Sequence, residues 1–281
     1  MKDTRSRRPL ATALLLLPAA LFLLLWFAAP LGELLRLSFS DPRGALAAYR
    51  ELVTGDVYRR VFANTLLVSV VVTGISILLG YPIAHVLTRL HGARLHFAFW
   101  CVLFPFWVSV LVRTFSWMLL LERNGPVNAA LEALGLTSAP LPLLFNNTAV
   151  YIGMTHVMLP YAVLPIYASL VRIDRRLLLA SDGLGASPWT TFRRVYLPLG
   201  MPGVGAAAAL VFLLSLGFFI TPALLGGISN ITVAMLIEHL VNERLVWSLA
   251  AAAAFLLLGV TLALLFVAAR LVPIGQALSE R

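Results

Sequence analysis

Residues 174–199 read Asp174-Arg-Arg-Leu-Leu-Leu-Ala-Ser-Asp-Gly-Leu-Gly185-Ala-Ser-Pro-Trp-Thr-Thr-Phe-Arg-Arg-Val195-Tyr-Leu-Pro198-Leu. This stretch is polar and basic, yet it lies between two apolar segments that are each long enough to cross a bilayer. A polar segment of this length beside a membrane is either a solvated loop or a docking surface. The fixed spacing from Gly185 to Val195 and then to Leu197-Pro198 favours a docking surface.

The composition excludes an ordinary soluble domain. Of the 281 residues, 60% are apolar and only 12% are charged, whereas charge is near a quarter in soluble domains. A membrane-spanning helix needs about 20 mostly apolar residues. Six stretches meet that requirement: 10–31, 61–87, 97–121, 149–171, 203–225 and 248–271. We therefore expect an all-α polytopic membrane protein with six transmembrane helices, the first being too long for the apolar region of a cleaved signal peptide.

The net charge of +9 is distributed in a way that indicates orientation. With the N-terminus inside, the inner segments are 1–9, 88–96, 172–202 and 270–281, and they hold 13 Lys/Arg against four acids. The remaining residues hold eight of each. Cytoplasmic loops are enriched in Lys and Arg, so both termini are expected in the cytoplasm. The charge therefore marks topology and does not indicate nucleic-acid binding.

The chain lacks the residues for nucleotide or metal chemistry. Lys2 is its only lysine, and a Walker A loop needs a Lys after its glycine-rich turn. If transport is driven by ATP, the ATPase is therefore another polypeptide. Cys101 is the single cysteine, and the five histidines show no ligand spacing. No cofactor or metal is expected on this chain.

The local pattern of the polar segment predicts two short helices. Residues 173–184 form the first, Gly185 ends it in a left-handed conformation, and Ser187 and Pro188 begin the second as N-cap and first helical residue. Two short helices at an angle would form a compact knob that fits a groove in a partner. An ordinary amphipathic inner loop over lipid head groups is the alternative.

The segment resembles the coupling loop, or EAA loop, of binding-protein-dependent ABC importer permeases, where a Gly is followed at ten residues by an aliphatic and at thirteen by a proline. The similarity covers about residues 60–272, including Asn64-Thr65-Leu66. Four stretches are similar to spermidine/putrescine-type permeases: Val112-Arg-Thr-Phe-Ser-Trp117, Glu122-Arg-Asn-Gly-Pro-Val-Asn128, Leu159-Pro-Tyr161 and Leu214-Ser-Leu-Gly-Phe-Phe-Ile-Thr-Pro-Ala-Leu-Leu-Gly-Gly227. The segment departs from the family where Leu179-Ala180-Ser181 replaces the Glu-Ala-Ala triplet.

This resemblance implies a domain plan. Residues 1–59 would hold the cytoplasmic N-terminus, one N-terminal helix and an outer loop. Residues 60–272 would form a five-helix permease core with the coupling loop at 173–200, and residues 273–281 a cytoplasmic tail. The implied ATPase-docking residues are Leu179, Ala180, Ser181, Asp182, Gly185, Ala186, Ser187, Pro188, Leu197 and Pro198.

The resemblance also implies an assembly in the bacterial inner membrane, surrounded by lipid. This subunit would pair with a second permease, an ATPase dimer that binds ATP and Mg, and a periplasmic substrate-binding protein. Transport would proceed by alternating access, and the solute would be a polyamine such as spermidine or putrescine. Similar permeases import phosphonates, iron complexes or opine-like amino acid derivatives, and these solutes are the alternatives to a polyamine.

The residues of a solute path are harder to identify. No Asp or Glu lies in the middle of an expected span, so a cationic solute would rely on aromatic faces and hydroxyls. The candidates, for which core packing is the alternative, are Trp117, Tyr151, Tyr161, Ser215, Phe218, Phe219 and Thr221. Arg113 is the one clear charge within an expected span, and its side chain is expected to reach the outer interface. Because a cation would not be drawn to an arginine, no direct contact between Arg113 and a polyamine is expected.

Two other classes of protein compete with the importer. A proton-coupled secondary transporter would carry acids or histidines in its spans, and only His85 and His156 are near-membrane candidates. An intramembrane enzyme would need paired carboxylates, a histidine cluster or a nucleophile with its base, and the sequence shows none. An associated Walker A protein would separate the importer from both alternatives.

Overall fold

A computed structural model describes residues 17–19, 21–227 and 230–271. The basic N-terminus, residues 10–16 of the first expected span, residues 228–229 and the tail 273–281 lie outside this part of the chain. The regular elements within it are all helical. In chain order they are α1 (Leu17–Ser38), α2 (Ala47–Thr54), α3 (Asp56–Arg89), α4 (Gly92–Trp107), α5 (Val110–Leu121), α6 (Pro126–Ala133), α7 (Asn147–Leu170), α8 (Arg175–Gly183), α9 (Pro188–Leu216), α10 (Ile220–Leu225), α11 (Val233–Asn242) and α12 (Trp247–Leu271).

The number of spans agrees with the sequence prediction. Among the described residues, five helices are long and apolar enough to cross a membrane, and a bent pair brings the number to six if it forms one span. The all-α polytopic fold is thereby confirmed. The longest helix, α3, has 34 residues, or roughly 50 Å at 1.5 Å per residue, so its ends extend beyond a hydrocarbon layer of about 30 Å.

The third expected span, 97–121, is not one straight helix. α4 ends at Trp107, α5 begins at Val110, and the apolar segments on either side of this break are bent by 96°. Pro105 lies in the last turn of α4, Val108 takes an extended conformation, and Ser109 is also outside the helical region. A proline ring removes one helical N–H and clashes with the preceding turn, which explains why the helix stops here.

The fifth expected span, 203–225, is also divided differently. α9 begins upstream at Pro188, passes through a π-helical turn at Phe192–Tyr196 and ends at Leu216. Gly217 caps it, and α10 starts three residues later. Interrupted helices are tolerated at membrane depth where the freed backbone is buried in protein or lines a cavity.

α7 is the central helix of the larger compact unit, which comprises the described residues of Arg59–Leu236 and Val260–Arg281. It is the most buried of the candidate spans. Two glycines permit its close packing: a Cβ at Gly153 would overlap Leu225 and Thr221 of α10, and a Cβ at Gly203 of α9 would overlap Ser169 and the Pro165 carbonyl oxygen of α7. Small residues at such contacts let membrane helices approach closely.

Three buried hydroxyls of α3 are satisfied within the helix, whereas the buried Ser76 Oγ has no hydrogen-bond partner among the described residues. Thr65, Ser69 and Thr73 each donate to the carbonyl oxygen four residues earlier, at 2.8, 2.8 and 2.6 Å. Since a polar group in hydrocarbon without a partner is costly, these bonds allow the row of hydroxyls to sit inside an apolar span.

The second compact unit comprises the described residues of Met1–Tyr58 and Ile237–Gly259. A charged network orders its outer segment: Arg43 Nη2 lies 2.9 Å from Asp41 Oδ2 and 2.8 Å from Glu51 Oε2, and Tyr58 donates to Glu51 Oε1 at 3.1 Å. The side-chain and backbone N–H groups of Arg43 lower the pKa of Asp41 to about 2. The network holds α2 against the preceding turn.

Candidate functional site

The polar segment folds into the two short helices expected from its sequence. We call residues 174–198 the docking segment. α8 spans Arg175–Gly183, and Gly185 follows with a φ of +77°. Ser187 caps the next helix by accepting from the backbone N–H of Thr190 at 3.3 Å, with Pro188 as its first residue. The predicted left-handed Gly185 and the predicted cap are both confirmed, because these local signals depend little on tertiary contacts.

The angle between the two helices is held by side-chain hydrogen bonds. Ser181 Oγ lies 2.9 Å from Thr191 Oγ1, and Thr191 Oγ1 donates to Asp182 Oδ1 at 3.4 Å. Thr191 is buried. The segment is therefore a defined knob and not an extended loop.

The docking segment exposes apolar side chains. Leu179 is 68% exposed, Leu184 88% and Trp189 68%. Large apolar groups clustered on a surface mark an interaction site when they lie outside the hydrocarbon layer. The other predicted docking residues are mostly exposed: Ala180, Asp182, Gly185, Ser187, Pro188 and Pro198. Three of them are half-buried: Ser181, Ala186 and Leu197.

Aromatic contacts join the docking segment to the membrane helices. Tyr196 is buried, and its hydroxyl lies 2.9 Å from His85 Nδ1 and 3.4 Å from Thr88 Oγ1 of α3. Phe192 packs between Tyr196 and Tyr81, with ring centroids 6.1 and 6.2 Å away. The docking segment thus contacts α3 and is continuous with the rest of α9.

A polar cluster forms near the middle of α7. Trp117 Nε1 donates to His156 Nδ1 at 3.1 Å, which leaves the imidazole proton on Nε2. Arg113 lies within electrostatic range of both His156 and Tyr161. These two residues come nine and fourteen positions after Asn147, the first residue of α7, or about 14–21 Å along the helix. We call these four side chains the Arg113 cluster.

Arg113 has buried nitrogen atoms without a partner. Its Nε and Nη1 are inaccessible and form no hydrogen bond within the described part of the chain. Arg113 lies near His156 and Tyr161 of α7, and its expected position at the outer interface stays a prediction. Ionisable groups within membrane-spanning segments mark functional sites by default.

The other predicted path residues are divided between the interior and the surface. Thr221 is fully buried and lies 3.2 Å, oxygen to oxygen, from Thr114 Oγ1, and Ser215 is 3% exposed. Phe219, in the break between α9 and α10, is 37% exposed. Tyr151 and Phe218 are half-buried against the core, and Tyr161 packs edge-to-face on Phe106 at 4.9 Å. A solute could reach Thr221 and Ser215 only after the helices move.

The structure adds a network at the opposite end of the bundle that sequence reasoning did not assign. Asn64 donates to the Ile231 carbonyl oxygen at 3.1 Å and accepts from Asn147 Nδ2 at 3.2 Å. Thr65 Oγ1 accepts the backbone N–H of Val233 at 2.8 Å, at the start of α11. Asn64-Thr65 was noted only as part of a resemblance, since no local pattern reveals partners more than 160 residues away.

Comparison with known proteins agrees with this architecture. Residues 7–273 match the family described as binding-protein-dependent transport system inner membrane component. The spermidine/putrescine transport system permease protein PotB of Haemophilus influenzae is 36% identical over 182 residues, which is 65% of this chain and 64% of that protein. The match thus spans less than two thirds of that relative.

Two further matches extend the comparison. The inner membrane ABC transporter permease protein YdcU of Escherichia coli is 36% identical over 197 residues, covering 66% of this chain and 63% of the other. A crystal structure of a bacterial ABC transporter involved in the import of the acidic polysaccharide alginate superposes with a TM-score of 0.74 at 19% identity, over 98% of both chains. Because the sequence identity is only 19%, this structural match establishes the fold alone.

Proposed function

The chain belongs to the family of binding-protein-dependent transport system inner membrane components, and on that premise we propose that it carries a polyamine across the bacterial inner membrane. It is a multi-pass permease subunit of an ABC importer and is not itself catalytic. The observation that carries the solute proposal is the 36% identity to a spermidine/putrescine permease. The termini are proposed to be cytoplasmic, in keeping with the basic inner segments.

The docking segment is proposed to receive the ATPase. Its Leu179, Leu184 and Trp189 are apolar and exposed, and hydrophobic anchors of this kind dominate protein interfaces. ATP and Mg would bind to that partner. In this chain Leu179 occupies the position of the family's acidic residue. The proposed contact between residue 179 and the ATPase would therefore be apolar packing and not an ion pair.

Transport would follow from movement of the docking segment. When the ATPase dimer closes, the knob moves as a unit, and the Tyr196–His85 contact carries that motion to α3. A second permease would face this one across the solute path, and a periplasmic binding protein would deliver the solute. Switching a packed helix bundle between two arrangements exposes the path alternately to each side.

Aromatic side chains are proposed to bind the cationic solute. Trp117, Tyr161 and Phe219 present ring faces at half-buried or exposed positions, and such faces attract ammonium groups by about 0.5–2 kcal/mol each. Contacts of this strength suit a transporter, since the site must release its solute after the bundle switches.

A second solute class is favoured by one observation. The inaccessible Nε and Nη1 of Arg113 form no hydrogen bond within the described residues, and a guanidinium pairs best with a carboxylate or phosphate. A solute that carries an acidic group would supply that partner, whereas a polyamine would be repelled.

The test is uptake of labelled putrescine and spermidine by cells with and without the gene, in competition with unlabelled amino acids, dicarboxylates and phosphonates. Loss of saturable polyamine uptake on deletion, with no competition by acids, would support the polyamine. Unchanged polyamine uptake, together with a copurifying ATPase, would keep the importer and discard that solute.

A further inference from the structure

A cavity of about 640 Å³ lies beneath the docking segment, enclosed by the end of α3, the end of α7, α8 and the first turns of α9. We call it the inner cavity. Its polar lining includes His85, Arg89, Arg175 and Asp182, and its apolar lining includes Phe192. The volume is in the range of small-molecule sites. Three of the proposed ATPase-docking residues, Leu179, Asp182 and Pro188, contribute to its lining.

The net charge of the side chains that line the inner cavity is positive, with two arginines against one acid. Neither Arg89 nor Arg175 forms an ion pair within the part of the chain that the structure describes. The single acid, Asp182, accepts a hydrogen bond from Thr191, and the Nδ1 of His85 is engaged by Tyr196. Two exposed arginines therefore line the cavity without an ion-pair partner in the described part of the chain.

The cavity wall is fixed by aromatic packing. Tyr196 is 7% exposed and is hydrogen-bonded to α3. Phe192 is confined between Tyr196 and Tyr81, and Trp189 stacks on it at 5.6 Å. Because these rings are held on several sides, they are not free to swing inwards and fill the space.

The position of the cavity identifies the kind of molecule that fits it. Arg89 is the last residue of α3, at the basic end of the bundle, where the inner leaflet has its head groups. Leu170, Val171 and Leu178 add apolar lining next to the two arginines. A ligand with an anionic head and apolar chains matches both parts, and basic pockets between membrane helices on the cytoplasmic side bind such head groups.

We propose that the inner cavity binds the phosphate of an anionic phospholipid such as phosphatidylglycerol, with Arg89 and Arg175 as the phosphate ligands. The bound lipid would brace the docking segment against α3 and α7. This site is distinct from any solute path, so it holds whichever solute is transported.

Native mass spectrometry of the purified complex tests the proposal. The complex is released from nanodiscs of phosphatidylcholine with a minority of phosphatidylglycerol, and retained phosphatidylglycerol is counted. We expect bound phosphatidylglycerol in the wild type and a loss of affinity of at least roughly tenfold in the Arg89→Gln/Arg175→Gln variant. Arg89→Lys/Arg175→Lys should restore most of the binding, since a Lys still offers a charge to phosphate.

The matched control is Arg193→Gln/Arg194→Gln, which removes two exposed charges from the same segment that do not line the cavity. Equal lipid retention in the cavity variant and in this control would overturn the proposal. Full displacement of the lipid by inorganic phosphate would overturn it too, because it would assign the site to a free anion. Size-exclusion chromatography confirms that each variant remains assembled.

Discussion

The hydroxyl of Tyr196 lies 2.9 Å from Nδ1 of His85, and this contact connects the docking segment to a residue of α3 that is 111 positions away in sequence. Both side chains are more than half enclosed by protein, and the aromatic rings meet edge-to-face at 5.0 Å. The contact is the structural basis for treating the knob and α3 as one moving body.

Tyr196→Phe should weaken coupling. The change removes the hydrogen bond and leaves the His85 nitrogen without its partner, a loss of about 1 kcal/mol or more. We expect the amount of solute transported per ATP hydrolysed by the reconstituted complex to fall severalfold. Tyr58→Phe removes a tyrosine hydrogen bond in the other compact unit and serves as the control. The same transport ratio in both variants would contradict a coupling role for Tyr196.

Gly185→Leu should separate the ATPase from the permease. Gly185 has a φ of +77° with open space around it, so a side chain is strained by the backbone conformation alone, at a cost of roughly 1–2 kcal/mol. The two helices of the knob would then lose their angle. Copurification of the ATPase measures the effect, with Gly183→Leu as control because Gly183 is equally open and has an ordinary φ. Retention of the ATPase by the Gly185 variant would exclude the knob as its docking site.

Gly203→Ala should destabilise the bundle. A Cβ at this position meets Ser169 and the backbone of α7, and overpacking of this kind typically costs 1–3 kcal/mol. Thermal unfolding of the detergent-solubilised protein should shift to lower temperature. Gly205→Ala on the same helix meets nothing within 4 Å and should be neutral. Equal unfolding temperatures for the two variants would mean that α7 and α9 are not packed closely.

Arg113→Gln should distinguish the two solute classes. For a polyamine, removal of a nearby positive charge should lower the KM for spermidine severalfold. For an acidic solute, the lost charged hydrogen bonds should raise the KM about 10- to 100-fold. We expect the first result, with Arg123→Gln in the exposed outer loop as the control. A raised KM for spermidine would contradict the proposed repulsion.

The order of the outer segment should not change across the physiological pH range. Arg43 lowers the pKa of Asp41 to about 2, so the ionised carboxylate is favoured by the folded state. Its contribution is fully present above the unfolded pKa of about 3.9 and is lost as the pH falls through 2. Proteolysis of the loop before α2 should be constant from pH 5 to 8 in the wild type and faster in Asp41→Asn. A rate for the wild type that rises between pH 8 and 5 would contradict this assignment.

Several features of the fold and site could be predicted from local sequence. Apolar stretches located the spans, because burial of about 20 apolar residues in hydrocarbon favours one helix almost regardless of its neighbours. The turn at Gly185 and the cap at Ser187 followed from backbone preferences. The predicted bounds of the third and fifth spans were wrong because a hydropathy profile does not show a break in a helix. Pro105 and Gly217 are apolar or neutral, so the profile stays continuous across both breaks.

The sequence by itself determined the membrane class, the number of spans and the two-helix form of the docking segment, since each depends on interactions among residues close in the chain. Only the tertiary structure decided that Arg113 lies near His156 and Tyr161 of α7, that His85 contacts Tyr196, and that Arg89 and Arg175 line one cavity. These relationships join residues from different helices. Their distances are set by the bend after α4 and the close packing of α7 with α9, which no local pattern encodes.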